Sequence, residues 1–254
     1  SSIKLNYLNY YILFFFTFLY MKIILNKKPK NVKIIEGFPG FGLIGTISIE
    51  YLINNLETEK IGSIYVDEMP AMIAIHNSKV IEPISIHYSK KYNLVLVHSI
   101  NNANSLSWKL ADIINELASS LKAKEIISIE GVGSPNNSSG SVYYYSTIDD
   151  GMKDLASQLV EGVVVGVTGA LLASQGSTPI TALFAEAKDN LPDSRAASNI
   201  IEVLDKYLGL NVKTQPLLDQ AKDFEKKIKT IMKKSVNAES VSCLLYTSDA
   251  ADDA

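Results

Sequence analysis

The chain has 254 residues, 47% of them hydrophobic and 20% charged, with a net charge of −3 and one cysteine, Cys243. That length suits one large globular domain or two small ones, each with a real core. The charge leaves no footprint for nucleic acid, and a lone cysteine excludes an internal disulfide or a cysteine metal cluster and fits a reducing, cytoplasmic setting.

Residues 5–20 read LNYLNYYILFFFTFLY. They are fewer than the roughly 18–20 residues of a spanning helix, are interrupted by Asn6 and Asn9, and do not end in a signal cleavage site. Met21 follows. Residues 1–20 are therefore expected to be non-native sequence upstream of a start at Met21, with a genuine hydrophobic segment as the other reading. No membrane partner is expected.

Residues 32–35 are a short β-rich run ending at Glu36. Gly37, Gly40, Gly42 and Gly45, with Pro39 among them, form a tight loop. Ile47, Ile49, Leu52 and Ile53 then mark a buried helix. Strand, glycine turn and helix open an α/β unit. A second strand over 62–66 is broken by Asp67, Glu68, Met69 and Pro70. Residues 71–76 and 80–87 read as short strands joined through Asn77, Ser78 and Lys79. Residues 93–99 are almost continuously apolar, as in a strand covered on both faces. Ser105 is a candidate N-cap for a helix through Leu121, with Leu106, Leu110, Ile113, Ile114 and Leu117 inward.

Residues 125–130 are the next buried strand, followed by Gly131, Gly133 and Pro135. A strand over 142–146 carries Tyr143, Tyr144 and Tyr145. A short helix is expected over 154–160, and a buried strand over 162–167 that enters Thr168 and Gly169 and a helix to Ala173. Residues 181–185 are the last strand. Ser194 caps a helix with Ala197, Ile200, Ile201, Leu204 and Leu208 inward, closed by Gly209. Residues 217–234 form a lysine-rich amphipathic helix with Leu218, Ala221, Phe224, Ile228 and Ile231 as its stripe. Residues 241–254 break with this composition. The expected division is an N-terminal extension over 1–20, one α/β domain over 21–212, a C-terminal amphipathic helix over 213–236 and a non-native tail over 237–254.

The alternation predicts an α/β three-layer sandwich, a mostly parallel mixed sheet with helices on both faces. Glycines follow Glu36 and Glu130 where buried strands end, and Gly166 and Gly169 make a third such exit. Loops after parallel strands share one edge, so Glu36, Gly37, Gly40, Gly42, Gly45, Glu130, Gly131 and Gly169 are candidates to line one crevice.

Gly40, Gly42 and Gly45 match the spacing of a dinucleotide fingerprint, with Asp67 as the ribose-binding acid. Against it, Gly37, Phe38 and Pro39 intervene after the strand, and Phe41 is bulky where a backbone should approach a pyrophosphate. A structural turn packing helix on sheet is the favoured reading. Glu36 and Glu130 are a candidate carboxylate pair for acid–base chemistry. No P-loop or nucleophile elbow occurs. His76, His87 and His98 fall on different strands, so no metal site and no cofactor are expected. The three tyrosines read as an ordinary strand first and an interface patch second.

The segments EGFPGFGLIG, YVDEMPAM, IISIEGVGS and GVVVGVTGALL occur in this order. With them the chain resembles the proteasome assembly chaperone 2 family in its archaeal form, over residues 32–235. The run from Glu36 to Gly45 is the most specific part, followed by Gly166, Gly169, Leu171 and Leu172, then Ala196 and Ala197. The resemblance implies a phosphorylase- or hydrolase-like three-layer fold without established catalysis. It implies binding to proteasome α subunits or a related oligomer, and self-association. A C-terminal hydrophobic–Tyr–any tail is known in such proteins. Leu245, Tyr246 and Thr247 have that pattern but are internal, so the motif is not carried over. Candidate partner contacts are Leu217, Phe224, Ile228 and Tyr144. The expectation is a non-enzymatic chaperone-like protein. Its rival is a nucleotide- or nucleoside-binding enzyme or sensor using the glycine loops.

Overall fold

The computed structural model describes residues 21–69, 73–76, 79–101, 104–133, 140–148, 151–174, 176–188 and 190–219. The elements in chain order are β1 (Met21–Leu25), β2 (Lys33–Gly37), α1 (Ile44–Asn55), β3 (Thr58–Val66), β4 (Ala74–His76), β5 (Lys79–Ile81), β6 (Ile84–Ser89) and β7 (Leu94–Ser99). There follow α2 (Ser107–Leu121), β8 (Glu125–Gly133), β9 (Val142–Ser146), β10 (Ser157–Gln158), α3 (Gly166–Ala173), β11 (Ile180–Ala187) and α4 (Ser194–Leu208).

Nine strands form one sheet in the order β1-β3-β6-β7-β2-β8-β11-β9-β10, and β4 and β5 form a separate hairpin. Parallel pairing joins β7, β2, β8 and β11 at the centre. Towards β1 the pairs are antiparallel, as is β9 on β11. The central strands are apolar on both faces because both are covered: all six residues of β7 are buried. Alternation sends Ile34 to one core and Ile35 to the other. The Ile34 side packs on α2 and α3, the Ile35 side on α1 and α4. The expected mixed sheet with helices on both faces is thus present.

Several local expectations are corrected. The run 154–160 is not a helix. A 3-10 turn, Met152–Asp154, leads into β10, whose backbone pairs with β9. Pairing with a neighbouring strand outweighs local helical preference there. Residues 162–167 are not a buried strand: Val163 is 91% exposed, Val165 68%, and α3 starts at Gly166. An unbroken valine run has no period with which to separate two-sided burial from none. Pro83, which cannot donate to a ladder, lies in the gap that splits the run 80–87 into β5 and β6. A 3-10 turn, Asn104–Leu106, takes the place of the Ser105 cap. Asp193, not Ser194, caps α4, accepting from Arg195 N and Ala196 N. The edge strand β1 had no counterpart in the sequence reading. Among the described residues no helix is long and apolar enough to cross a membrane. The segment 5–20, the loop at Asn77 and Ser78, the helix beyond residue 219 and the tail lie outside the described residues.

Candidate functional site

The parallel register sets Ser128 of β8 opposite Glu36 of β2. Ser128 Oγ donates to Glu36 Oε1 and is hydrogen-bonded to Thr168 Oγ1 of α3 at 2.7 Å. Thr168 Oγ1 lies 3.4 Å from Glu130 Oε2, and Glu130 Oε1 accepts from Gly131 N at 3.3 Å. A chain of three links therefore joins Glu36, Ser128, Thr168 and Glu130. Two hydroxyls supply two protons to those links. The third link is completed when a carboxyl holds a proton of its own.

Burial favours that proton. Glu36 is 1% exposed. Burial, with a smaller contribution from the Glu130 charge, pushes its carboxyl up to about 8 against the lowering bond from Ser128. Burial likewise raises Glu130 to about 7, opposed by its bonds to Gly131 and Thr168. No cation faces this pair among the groups that shift it. Of the residues expected to line one crevice, the structure brings Glu36 and Glu130 into one hydrogen-bonded chain.

It is filled by the protein itself. A Cβ at Gly37 would stand 2.5 Å from the Gly45 carbonyl oxygen, and one at Gly45 2.9 Å from Gly37 Cα and from the Ile129 carbonyl oxygen. The start of α1 is thus seated on the end of β2 and β8, backbone against backbone. A Cβ at Gly131 would collide with the Phe41 carbonyl, and one at Gly40 with the Glu130 carboxyl. Gly42 has φ +65°, a conformation that glycine adopts without strain, and its carbonyl accepts from Asp193 N. Gly169 lies in α3 instead of at a strand exit, with its missing side chain occupied by the Val164 carbonyl.

The other candidates separate. β3, which ends before Asp67, is three strand positions from β2, roughly 14 Å by strand spacing. The second strand of a dinucleotide fold would be its parallel neighbour. Antiparallel register, Ser85 against His98, brings His87 and His98 together instead. They line a cavity of about 460 Å³ beside α1, with Lys60, Glu82 and Ser85. Burial holds both imidazoles down at about 4. That convergence was invisible in the sequence, where their even spacing carried no pairing information. Among the described residues no group of three metal-ligating side chains occurs. Tyr144 packs on the core beside α4, while Tyr145 is 42% exposed. Leu217 is 7% exposed and packs in the same core, so it faces its own domain. Phe224 and Ile228 lie outside the described residues.

Ser128 and Thr168, which tie the two acids together, were missed by the sequence reading. A serine inside the buried run EIISIE was the one available signal.

Comparison with known proteins fits this arrangement of glycine loops on a mixed sheet. The PAC2 family model matches residues 34–232. The chain belongs to the PAC2 family. An uncharacterised protein of Methanocaldococcus jannaschii is 28% identical over 206 residues, covering 80% of this chain and 86% of that one. The crystal structure of Pyrococcus furiosus PbaA, described as an archaeal homolog of proteasome-assembly chaperone, superposes with a TM-score of 0.75 at 28% identity, covering 87% of this chain and all of that one. Pyrococcus furiosus PbaB, described as an archaeal proteasome activator, superposes with a TM-score of 0.70 at 22% identity over 84% and 99% of the two chains, a likeness of fold.

Proposed function

We propose that this PAC2-family chain is a non-enzymatic, cytoplasmic assembly factor that binds proteasome α subunits and associates with its own copies. The observation that carries the reading is the closure of the glycine loop. The positions where a cofactor phosphate would need open backbone are occupied by Gly45, Phe41 and Glu130 of the chain itself. Glu36 is buried against Ser128, which is bonded in turn to Thr168 of α3. The glycines therefore serve close packing of helix on sheet. The likeness to PbaA, extending over all of that chain, supports proteasome-related partners.

The test pairs two measurements on the full chain. Immobilised protein is expected to retain proteasome α subunits from a matched archaeal source, and nucleotides and nucleosides are expected to leave its Tm unchanged. A reproducible stabilisation by a nucleotide, with no retention of α subunits, would overturn the proposal in favour of a ligand-binding enzyme or sensor.

A further inference from the structure

The antiparallel half of the sheet holds the cavity flanked by His87 and His98. Ser85 of β6 pairs opposite His98 of β7, and Lys60 of β3 opposite His87, so the side chains of each pair share a face. Ser85 Oγ lies 3.1 Å from His87 Nε2. Ile53 of α1 and Ile81 of the β4–β5 hairpin add apolar walls to the space of about 460 Å³, a size that suits a small organic ligand. Polarity changes with depth. His98 is 6% exposed and Ser85 4%, while Glu50, Asn54 and Lys60 are exposed at the rim. Lys60 is already paired with Glu82, which also accepts from Ser63 Oγ at 2.7 Å. His98 Nε2 finds no hydrogen-bond partner among the described residues. A buried ring nitrogen left unmatched is costly, and a ligand atom that pairs with it recovers that cost.

We infer that this cavity binds a small uncharged carboxamide, its head hydrogen-bonded to His98 and its apolar body between Ile53 and Ile81. The site is independent of the assembly role proposed above. The chemistry of the lining selects the head group. Burial keeps both imidazoles uncharged at neutral pH, so each has one N–H donor and one acceptor nitrogen. A carboxamide presents the complementary pair, a carbonyl acceptor beside an N–H donor. A carboxylate would leave water for a depth without a cation of its own among the described residues, because Lys60 is exposed and held by Glu82. An ammonium would find Glu82 already bound by Lys60 and Ser63, and Glu50 out in solvent. Burying either charge without a dedicated partner is penalised. Ile53 and Ile81, both half-buried, cover an apolar body instead.

Benzamide, benzoate and benzylamine share a ring and differ in the charge of the head group. The full chain is titrated with each at neutral pH while the ring signals of its three histidines are followed by proton NMR. Benzamide is expected to shift the His98 signals saturably, with a Kd of roughly 1 mM or below, as suits a ligand of that size. Benzoate and benzylamine are expected to bind at least about 10-fold more weakly. His98→Leu removes the unmatched nitrogen and keeps an apolar side chain in its place. It is expected to weaken benzamide binding at least about 10-fold, with circular dichroism unchanged as the fold control. If that variant does not fold, the wild-type His98 signals still decide. No saturable shift with benzamide would overturn the proposal and leave a cavity that holds only water. Tighter binding of benzoate would overturn it in favour of an anion held by Lys60, and of benzylamine in favour of a cation held at Glu50 and Glu82. Benzamide affinity unchanged in a folded His98→Leu protein would also overturn it.

Discussion

Two kinds of buried acid occur in this molecule. Glu125 is 2% exposed and has a cation, Lys33 Nζ at 2.6 Å, with the Tyr207 and Thr181 hydroxyls around it. Glu36 and Glu130 have only hydroxyls and amides. A buried carboxylate without a cation is costly, and binding a proton is the usual escape. For Glu36 the folded value near 8 lies above the ordinary 4.5. Its folded form keeps a proton that the unfolded chain loses, so its contribution is full below 4.5 and is lost as pH rises to about 8. Glu36→Gln retains the shape and the bond from Ser128. It is expected to match wild type near pH 4.5 and to exceed it at pH 8 by on the order of a few kcal/mol, read from urea midpoints. Equal pH profiles for the two proteins would contradict the assignment. The glycines allow a simpler test. Gly37→Ala puts a methyl group into the Gly45 backbone, where neither side can yield. A loss of ~3 kcal/mol or more is expected by chemical denaturation. A tolerated alanine would show that the loop has room for a ligand.

At the scale of elements, capping decides where α4 begins. Asp193 Oδ1 accepts from Arg195 N at 3.1 Å and Ala196 N at 2.9 Å, and Asp193 N donates to Gly42 O. Asp193→Ala is expected to cost about 1–2 kcal/mol, and Ser194→Ala clearly less, in thermal or urea unfolding. The reverse order would reinstate the cap read from the sequence. The one-residue error there is instructive, because aspartate and serine are both good caps and only the backbone conformation separates them. Strong periodicity was legible elsewhere. Leu110, Ile113, Ile114 and Leu117 identified α2, with Leu106 of the same expected stripe falling in the 3-10 turn before it, and the apolar runs identified β2, β7 and the first part of β8. The glycines that follow Glu36 and Glu130 singled out these two acids, which the structure joins through Ser128 and Thr168. What stayed hidden depends on pairing. β1 is a strand through its register with β3, and Thr168 reaches Glu130 only because α3 packs against the end of β8. Composition also misled at 162–167, where the same valines suit a core strand or an exposed connection leading into α3.

Over the whole molecule, two acids shifted up (Glu36 buried, Glu130 half-buried) and two imidazoles shifted down (His98 buried, His87 half-buried) act in opposite directions. Between about 4.5 and 6.5 each acid holds a proton that the unfolded chain has released. Over the same range each of His87 and His98, held near 4 against an ordinary 6.5, lacks a proton that the unfolded chain has bound. Two against two nearly cancel, so these four groups leave stability flat across that window. Above 6.5 the unfolded imidazoles are neutral as well, and their difference vanishes. The acids then act alone. Stability is expected to fall from pH 6.5 through about 7, where Glu130 ionises, to about 8, where Glu36 does, with a slope of up to ~1.4 kcal/mol per pH unit from each acid. Urea midpoints measured from pH 4.5 to 8.5 check this directly. A Glu36→Gln, Glu130→Gln double variant should lose the alkaline decline and instead gain stability from pH 4.5 to 6.5, because the imidazoles then act unopposed. A wild-type curve that rises between pH 6.5 and 8 would mean that the two carboxyls are ionised under the loop. In that case the closed, proton-holding crevice would no longer account for a site without catalysis.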